Sequence, residues 1–419
     1  MTTRDAAAPE PGGARSAASD ALLARVVRDE SGRIVAALTR SIGSFDVAEE
    51  AVADAVVEAL RAWRVEGIPP RPGGWLLQAA RHNALDRLRR ETRYRDKLRL
   101  VAEPDIPEPD PGTGGGRDID ERLPLLFGCC HPALSPDAQL ALTLRAVCGL
   151  TTAQIARATL GTEATVAQRI VRAKRKIGAA GIPIRIPEPA ERSGRLDIVL
   201  TVVSVMYAEA HLRAGADAAA DRDLADDALW LARVVALALP REAEAQGLLS
   251  LLLFHRARES ARSVDGDLVL LGLQDRTRWD SALMSEARLV LERAARLRRP
   301  GRWQLHAAIA ACHADAATAA ETDWAQVLVL YDMLSAYDRS PIVRLNRAVA
   351  LAEVAGPAVA LAEVDGLEEG LSRYHLWHAV RGHLLRALGR DDEALAADLR
   401  AMELTANDAE RRLLAARAQ

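Results

Sequence analysis

The sequence predicts an all-α protein: two small helical domains joined by a flexible linker, then a larger helical domain. Three observations predict it. Aromatic residues make up only 4% of the 419 residues, and Ala and Leu, both strong helix formers, dominate. Apolar residues recur at the helical spacings of three and four. Gly- and Pro-rich segments at 67–74, 103–116 and 181–189 punctuate the helical stretches. A chain of this length exceeds one compact core, so several domains are expected.

Residues 1–19 are rich in Ala, Pro, Gly and Ser and are expected to be disordered. A first helical domain spans 20–100. Within it Asp46 to Trp63 reads as one helix, with Ala48, Val52, Val56, Leu60 and Trp63 on its apolar side. Asp46, Glu50, Asp54 and Glu58 recur every four residues, joined by Glu49, as an acidic stripe. Such a stripe is ordinarily solvated; the functional alternative is docking on a basic partner. After the Gly/Pro loop, Gly74 to Glu91 forms a second helix with Leu77, Ala80, Ala84 and Leu88 inward. Trp75, Arg81, Asn83, Asp86, Arg87, Arg89 and Arg90 lie elsewhere on it. Arginines hold phosphates and an amide reads base edges, so this mixture suits single-stranded or partly melted DNA.

Residues 101–117 are a linker, acidic and Pro-rich at first and then Gly114-Gly115-Gly116. A second domain spans 118–179. Cys129-Cys130-His131 lacks the two-residue gap of a zinc knuckle, so Cys129, Cys130 and Cys148 read as small apolar fillers, with no metal or cofactor expected. Thr151 and Gln154 stand at capping-box spacing and open a short helix. After a break at Gly161-Thr162, a longer helix puts Val166, Ile170, Ala173 and Ile177 on one face. Gln168, Arg172 and Arg175 lie opposite, flanked by Arg169, Lys174 and Lys176. This is the pattern of a helix-turn-helix whose second helix reads DNA.

Residues 180–191 form a stiff Ile/Pro connector, and 192–419 are again helical. There Ala348, Leu351 and Ala360 recur 34 residues later as Gly382, Leu385 and Ala394, the period of a tetratricopeptide (TPR) array. Such a unit binds partners and does no chemistry, and it implies a regulatory protein as partner. Asp265, Asp267, Asp275 and His255 lack nucleophile–base or metal-ligand spacing, so no enzyme is expected. Net charge is −3, so any nucleic-acid surface is local. No apolar run suits a membrane span or a signal peptide, so a cytoplasmic protein without a membrane partner is expected.

Taken together, the acidic helix, the Trp-Leu and Asn-x-x-x-Asp-x-x-Arg-Arg helix, the linker, and Gly-Leu-Thr before a basic helix resemble extracytoplasmic-function (ECF) sigma factors of bacterial RNA polymerase. Residues 20–100 look like sigma region 2 and 118–179 like region 4. The segments 120–134, 167–177 and 274–280 resemble the ECF subgroup with a TPR-like extension. That resemblance implies the following roles. Asp46, Glu49, Glu50, Asp54 and Glu58 would meet polymerase core. Trp75, Arg81, Asn83, Asp86, Arg87, Arg89 and Arg90 would read the minus-ten element. Thr162, Glu163, Thr165, Gln168, Arg169, Arg172, Lys174, Arg175 and Lys176 would read the minus-thirty-five element. The subgroup is further implied to act without a membrane anti-sigma partner and to need its extension. This chain departs from it at Ala208-Glu-Ala-His211, where Asn-Glu-Gly-Tyr is usual. The alternative is a helix-turn-helix regulator with a TPR sensor that does not bind polymerase core; it leaves the acidic helix and the linker without a purpose.

Overall fold

The computed structural model describes residues 11–96, 122–159, 161–211, 218–264, 266–405 and 407–417. The linker at 101–117 and the side chains of Glu209 and His211 lie outside the described residues. The chain divides into two compact units, residues 1–202 and 203–419.

The first unit opens with three packed helices, α1 (Pro11–Ile42), α2 (Phe45–Val65) and α3 (Pro72–Asp96). The start of α1 at Pro11 falls inside the stretch through Ser19 expected to lack order; Pro suits a first helical position and the following alanines favour helix. Ser44 caps α2 by accepting from the Val47 amide. The buried face of α2 is Phe45, Ala48, Ala51, Val52, Ala55, Ala59 and Trp63, while Val56 and Leu60 are only half-buried. The small alanines let neighbouring helices approach where larger residues would hold them apart. On α3 the inward residues are Leu76, Ala80 and Ala84, whereas Leu77, expected inside, is 39% exposed. The true face repeats every four residues from Leu76, one position earlier than the sequence reading.

Next come α4 (Arg122–Cys129), α5 (Pro136–Ala146), α6 (Thr152–Ala158) and α7 (Glu163–Ala179). Leu123, Leu125, Leu126 and Phe127 of α4 are fully buried, so this short helix is the hub of the group. Helix α1 packs closely on this group: a Cβ on Gly32 would sit 2.5 Å from the carbonyl oxygen of Val147 at the end of α5 and 3.3 Å from Arg122 Cδ of α4. The Ile/Pro connector is extended and buries Ile182. It leads into α8 (Pro189–His211), where Arg195 donates to the Phe127 carbonyl.

The second unit contains α9 (Ala218–Ala238), α10 (Ala243–Ala257) and α11 (Glu259–Arg262), then β1 (Ser263–Val264) paired antiparallel with β2 (Asp267–Leu268). It continues through α12 (Ser281–Arg296), α13 (Arg302–Asp315), α14 (Trp324–Leu334), α15 (Pro341–Ala355) and α16 (Pro357–Asp365). The last elements are α17 (Glu368–Leu371), α18 (His375–Ala387), α19 (Asp391–Leu404) and α20 (Asp408–Arg417). Helix α10 is buried on all sides between α9, α12 and α13, as a helix apolar all round must be. From α13 onward, successive helices pack pairwise. Ala348, Ala360, Gly382, Leu385, Ala394 and Ala401 are all buried where these helices cross. A Cβ on Gly382 would lie 2.7 Å from Asp398 Oδ1. Asp398 is fully buried and accepts from Arg386 at 2.6 Å. No helix among the described residues is long and apolar enough to cross a membrane.

Candidate nucleic-acid and polymerase interface

The capping box forms reciprocally. Thr151 N donates to Gln154 Oε1 at 2.8 Å, and Gln154 N donates to Thr151 Oγ1 at 3.2 Å. Helix α7 has its own cap: Thr162 Oγ1 accepts from the Thr165 amide at 3.2 Å and meets the Thr165 hydroxyl at 2.9 Å. These two threonines therefore define where the helix begins. Val166, Ile170, Ala173 and Ile177 are buried against α5 and α6, which fixes the rotation of α7.

That rotation sorts the polar residues. Glu163, Gln168, Arg172, Arg175 and Lys176 are exposed. Arg169 instead pairs with Asp137 at 2.9 Å, and Lys174 is turned into protein with only 15% of its side chain exposed. Lys174 Nζ donates to Glu49 Oε2, stands 3.6 Å from Asp46, and lies 5.1 Å over the Phe45 ring. Arg145 Nε also donates to Glu49, at 2.9 Å. Glu49 thus holds two cations from α5 and α7, and its side chain is 19% exposed.

The rest of the acidic stripe faces α3. Arg87 donates to Glu50, and its Nη2 donates to Asp54 Oδ2 at 2.7 Å. Glu58 is exposed. On α3, Asp86 stands 3.6 Å from His82 and 3.9 Å from Arg89, contacts that bring little energy at such exposure. Arg89 and Arg90 are exposed and Arg81 is half-buried. Trp75 is half-buried and stands edge-on to Trp63 with centroids 5.7 Å apart, so it is placed by packing as well as by any ligand. The Asn83 side-chain nitrogen is buried and has no hydrogen-bond partner among the described residues. An orphan amide donor is costly to keep.

Of the residues picked out in sequence, then, the structure leaves Gln168, Arg172, Arg175 and Lys176 turned to solvent on α7. It gives Arg169, Lys174 and Arg87 protein partners. Arg145 was missed, because its partner lies 96 residues away. Burial drives the Cys130 thiol up to about 12 and raises Cys129 as well, so both stay neutral and behave as fillers. Among the described residues no group of His, Cys, Asp or Glu could hold a metal ion.

Residues 26–94 match sigma-70 region 2, and residues 125–177 match sigma-70 region 4. Residues 195–295 match a family of unknown function, DUF6596. The chain is 40% identical over 379 residues to an uncharacterized protein of Rhizobium meliloti (strain 1021), covering 89% of this chain and 90% of that protein. No solved structure matches. With the acidic helix, the α3 arginines and the exposed polar face of α7 now located inside the two matched regions, the conclusion is direct: the chain belongs to the sigma-70 family, a transcription initiation factor rather than an enzyme, whose partners are RNA polymerase core and promoter DNA.

Proposed function

We propose that this is an ECF-type sigma factor that reads a two-box promoter and carries a TPR-like regulatory domain. Residues 20–100 act as region 2, 118–179 as region 4, and 192–419 as the regulatory part, which receives a regulatory protein. The setting is the cytoplasm. The observation that carries the reading is the exposed Gln168–Arg172–Arg175 face of α7, held at fixed rotation by four buried apolar residues. A cationic face beside an amide reads base edges in the major groove, at about 1–3 kcal/mol for each good bidentate pair.

On α3, Arg81, Arg89 and Arg90 supply phosphate contacts and the orphan Asn83 amide a base contact, with Trp75 at the helix start as a stacking surface. Polymerase core meets the acidic face of α2. Asp46 and Glu58 are exposed, Glu50 and the half-exposed Asp54 become free when Arg87 lets go, and Glu49 when Lys174 and Arg145 do. Binding to core and release of α7 toward the upstream box are then linked events.

The test is transcription by polymerase core and the purified chain from promoters altered in one box at a time. Arg172→Ala is expected to lose about tenfold in initiation, with the loss erased when the upstream box is scrambled. Asn83→Ala is expected to slow promoter melting and to respond to the downstream box. Equal responses of both variants to both boxes would overturn the division of labour. Failure of the chain to bind core at all would overturn the reading as a whole.

A further inference from the structure

A cavity of about 250 Å³ opens in the second unit, beside the core formed by α13, α14 and α15. Its walls are mostly apolar, with Trp324, Val327 and Val349 prominent. Five polar residues line it: Arg276, His313, Thr322, Tyr331 and Asn346. No carboxylate lines it among the described residues. Of the nearby acids, Glu321 accepts from the Thr318 hydroxyl at 3.0 Å and also acts electrostatically on Arg276, while Asp323 caps α14 through the Gln326 amide at 2.9 Å.

The guanidinium of Arg276 is held in a way that leaves one edge open. Its Nη1 donates to the carbonyls of His313 and Ala316, and its Cζ lies over the Trp279 ring, 4.6 Å from the centroid. Both Nη1 hydrogens are thereby used. The Nε and Nη2 donors have no partner among the described residues. Those donors form the fork that grips a carboxylate through two parallel bonds. A second guanidinium, Arg258, lies on the same Trp279 at 5.8 Å and deepens the positive potential.

The other polar groups fit an anion too. Burial, then Arg258 and Arg276, push His313 down to about 4, so its ring is neutral and adds no second full charge. Burial pushes Tyr331 up to about 12, which keeps its hydroxyl a donor. Asn346 adds an amide with donors of its own.

We propose that this cavity is a binding site for a small organic monocarboxylate with an apolar body, its carboxylate on Arg276 and its body against Trp324, Val327 and Val349. Size supports the class. A cavity of about 150 Å³ holds benzene, and drug-sized ligands need about 300 Å³ or more, so this one takes a single ring with a short acidic arm. An occupant touches the 271–276 turn together with α13, α14 and α15, so it stabilises those segments jointly.

The experiment is calorimetric titration of the full chain with benzoate, phenylacetate and 3-phenylpropionate, and with phenylacetamide as the neutral isostere. At least one acid is expected to bind one-to-one with Kd below about 1 mM, and the amide at least tenfold more weakly. Arg276→Gln is expected to lose at least tenfold in affinity for the acid. Because Arg276 also ties two backbone carbonyls, Val349→Phe is the second variant: it fills the cavity while Arg276 keeps its bonds to those carbonyls, and it is expected to abolish binding while the melting temperature is kept. Absence of binding by all three acids overturns the proposal. So does equal affinity for acid and amide, or unchanged binding in Val349→Phe.

Discussion

The sharpest expectation concerns Lys174, which sequence places on the DNA-reading face and the structure places against Glu49. Its effect is worked out through a double-mutant cycle with Lys174→Met and Glu49→Gln. A charge-assisted hydrogen bond contributes about 1.5–3 kcal/mol net, whereas an exposed pair contributes about 0–1 kcal/mol. With side-chain exposures of 15% and 19%, the pair sits nearer the first case, and about 1–2 kcal/mol is reasonable for the Lys174 bond. Glu49→Gln also disturbs the Arg145 bond, so about 2–3 kcal/mol is expected there. The two changes share one partner, so the double variant should match Glu49→Gln alone to within about 0.5 kcal/mol. Hydrogen exchange read by mass spectrometry on the full chain measures this, since 1.4 kcal/mol corresponds to about tenfold in opening of the amides of α7. Binding of a minus-thirty-five duplex should stay the same or improve in Lys174→Met. Unchanged exchange, together with weaker duplex binding and a shallower salt dependence, would refute the assignment and return Lys174 to the DNA.

Three further expectations follow from packing and burial. Gly32→Ala gains about 1 kcal/mol of helix propensity, but its methyl meets the Val147 carbonyl, so a net loss and faster exchange at residues 144–156 are expected. His313 titrates about 4 in the folded chain against an ordinary 6.5, so the unfolded chain binds more protons in that window. Its contribution is therefore full above about pH 6.5 and lost as pH falls toward 4; thermal melting against pH should show this slope, reduced in His313→Phe. Cys129 and Cys130 should resist a thiol reagent at pH 8 in the native chain and react only on unfolding, because burial keeps both thiols protonated.

Local features were the ones legible in sequence. The Thr151–Gln154 box is a three-residue relation, and both its hydrogen bonds form. The face Val166, Ile170, Ala173 and Ile177 was fixed by period alone, and all four are buried. Rotation was harder where alanine is abundant. On α3 the choice between Leu76 and Leu77 turned on one residue, since the alanines match several faces about equally well. Lys174 carried a readable signal that its charge concealed: it follows Val166 and Ile170 at steps of four, hence flanks the buried stripe. Arg169, three residues after Val166, is a similar case and finds Asp137. The bonds from Arg145 to Glu49 and around the Arg276 cavity join segments far apart in the chain. Periodicity carries no record of such pairings, which depend on how helices are arranged once formed.

Arg412 of α20 donates to Asp267 at 2.6 Å and to the Gly266 carbonyl at 2.8 Å, across 145 residues, and α20 packs on β2. At a synthesis rate of about 5–20 residues per second, the hairpin at 263–268 waits roughly 7–29 s for that partner to be made. Sigma regions 2 and 4 are complete in sequence long before then. On the ribosome, therefore, regions 2 and 4 are made while the 263–268 hairpin still lacks Arg412, and the synthesis of α20 sets the moment at which that contact can close.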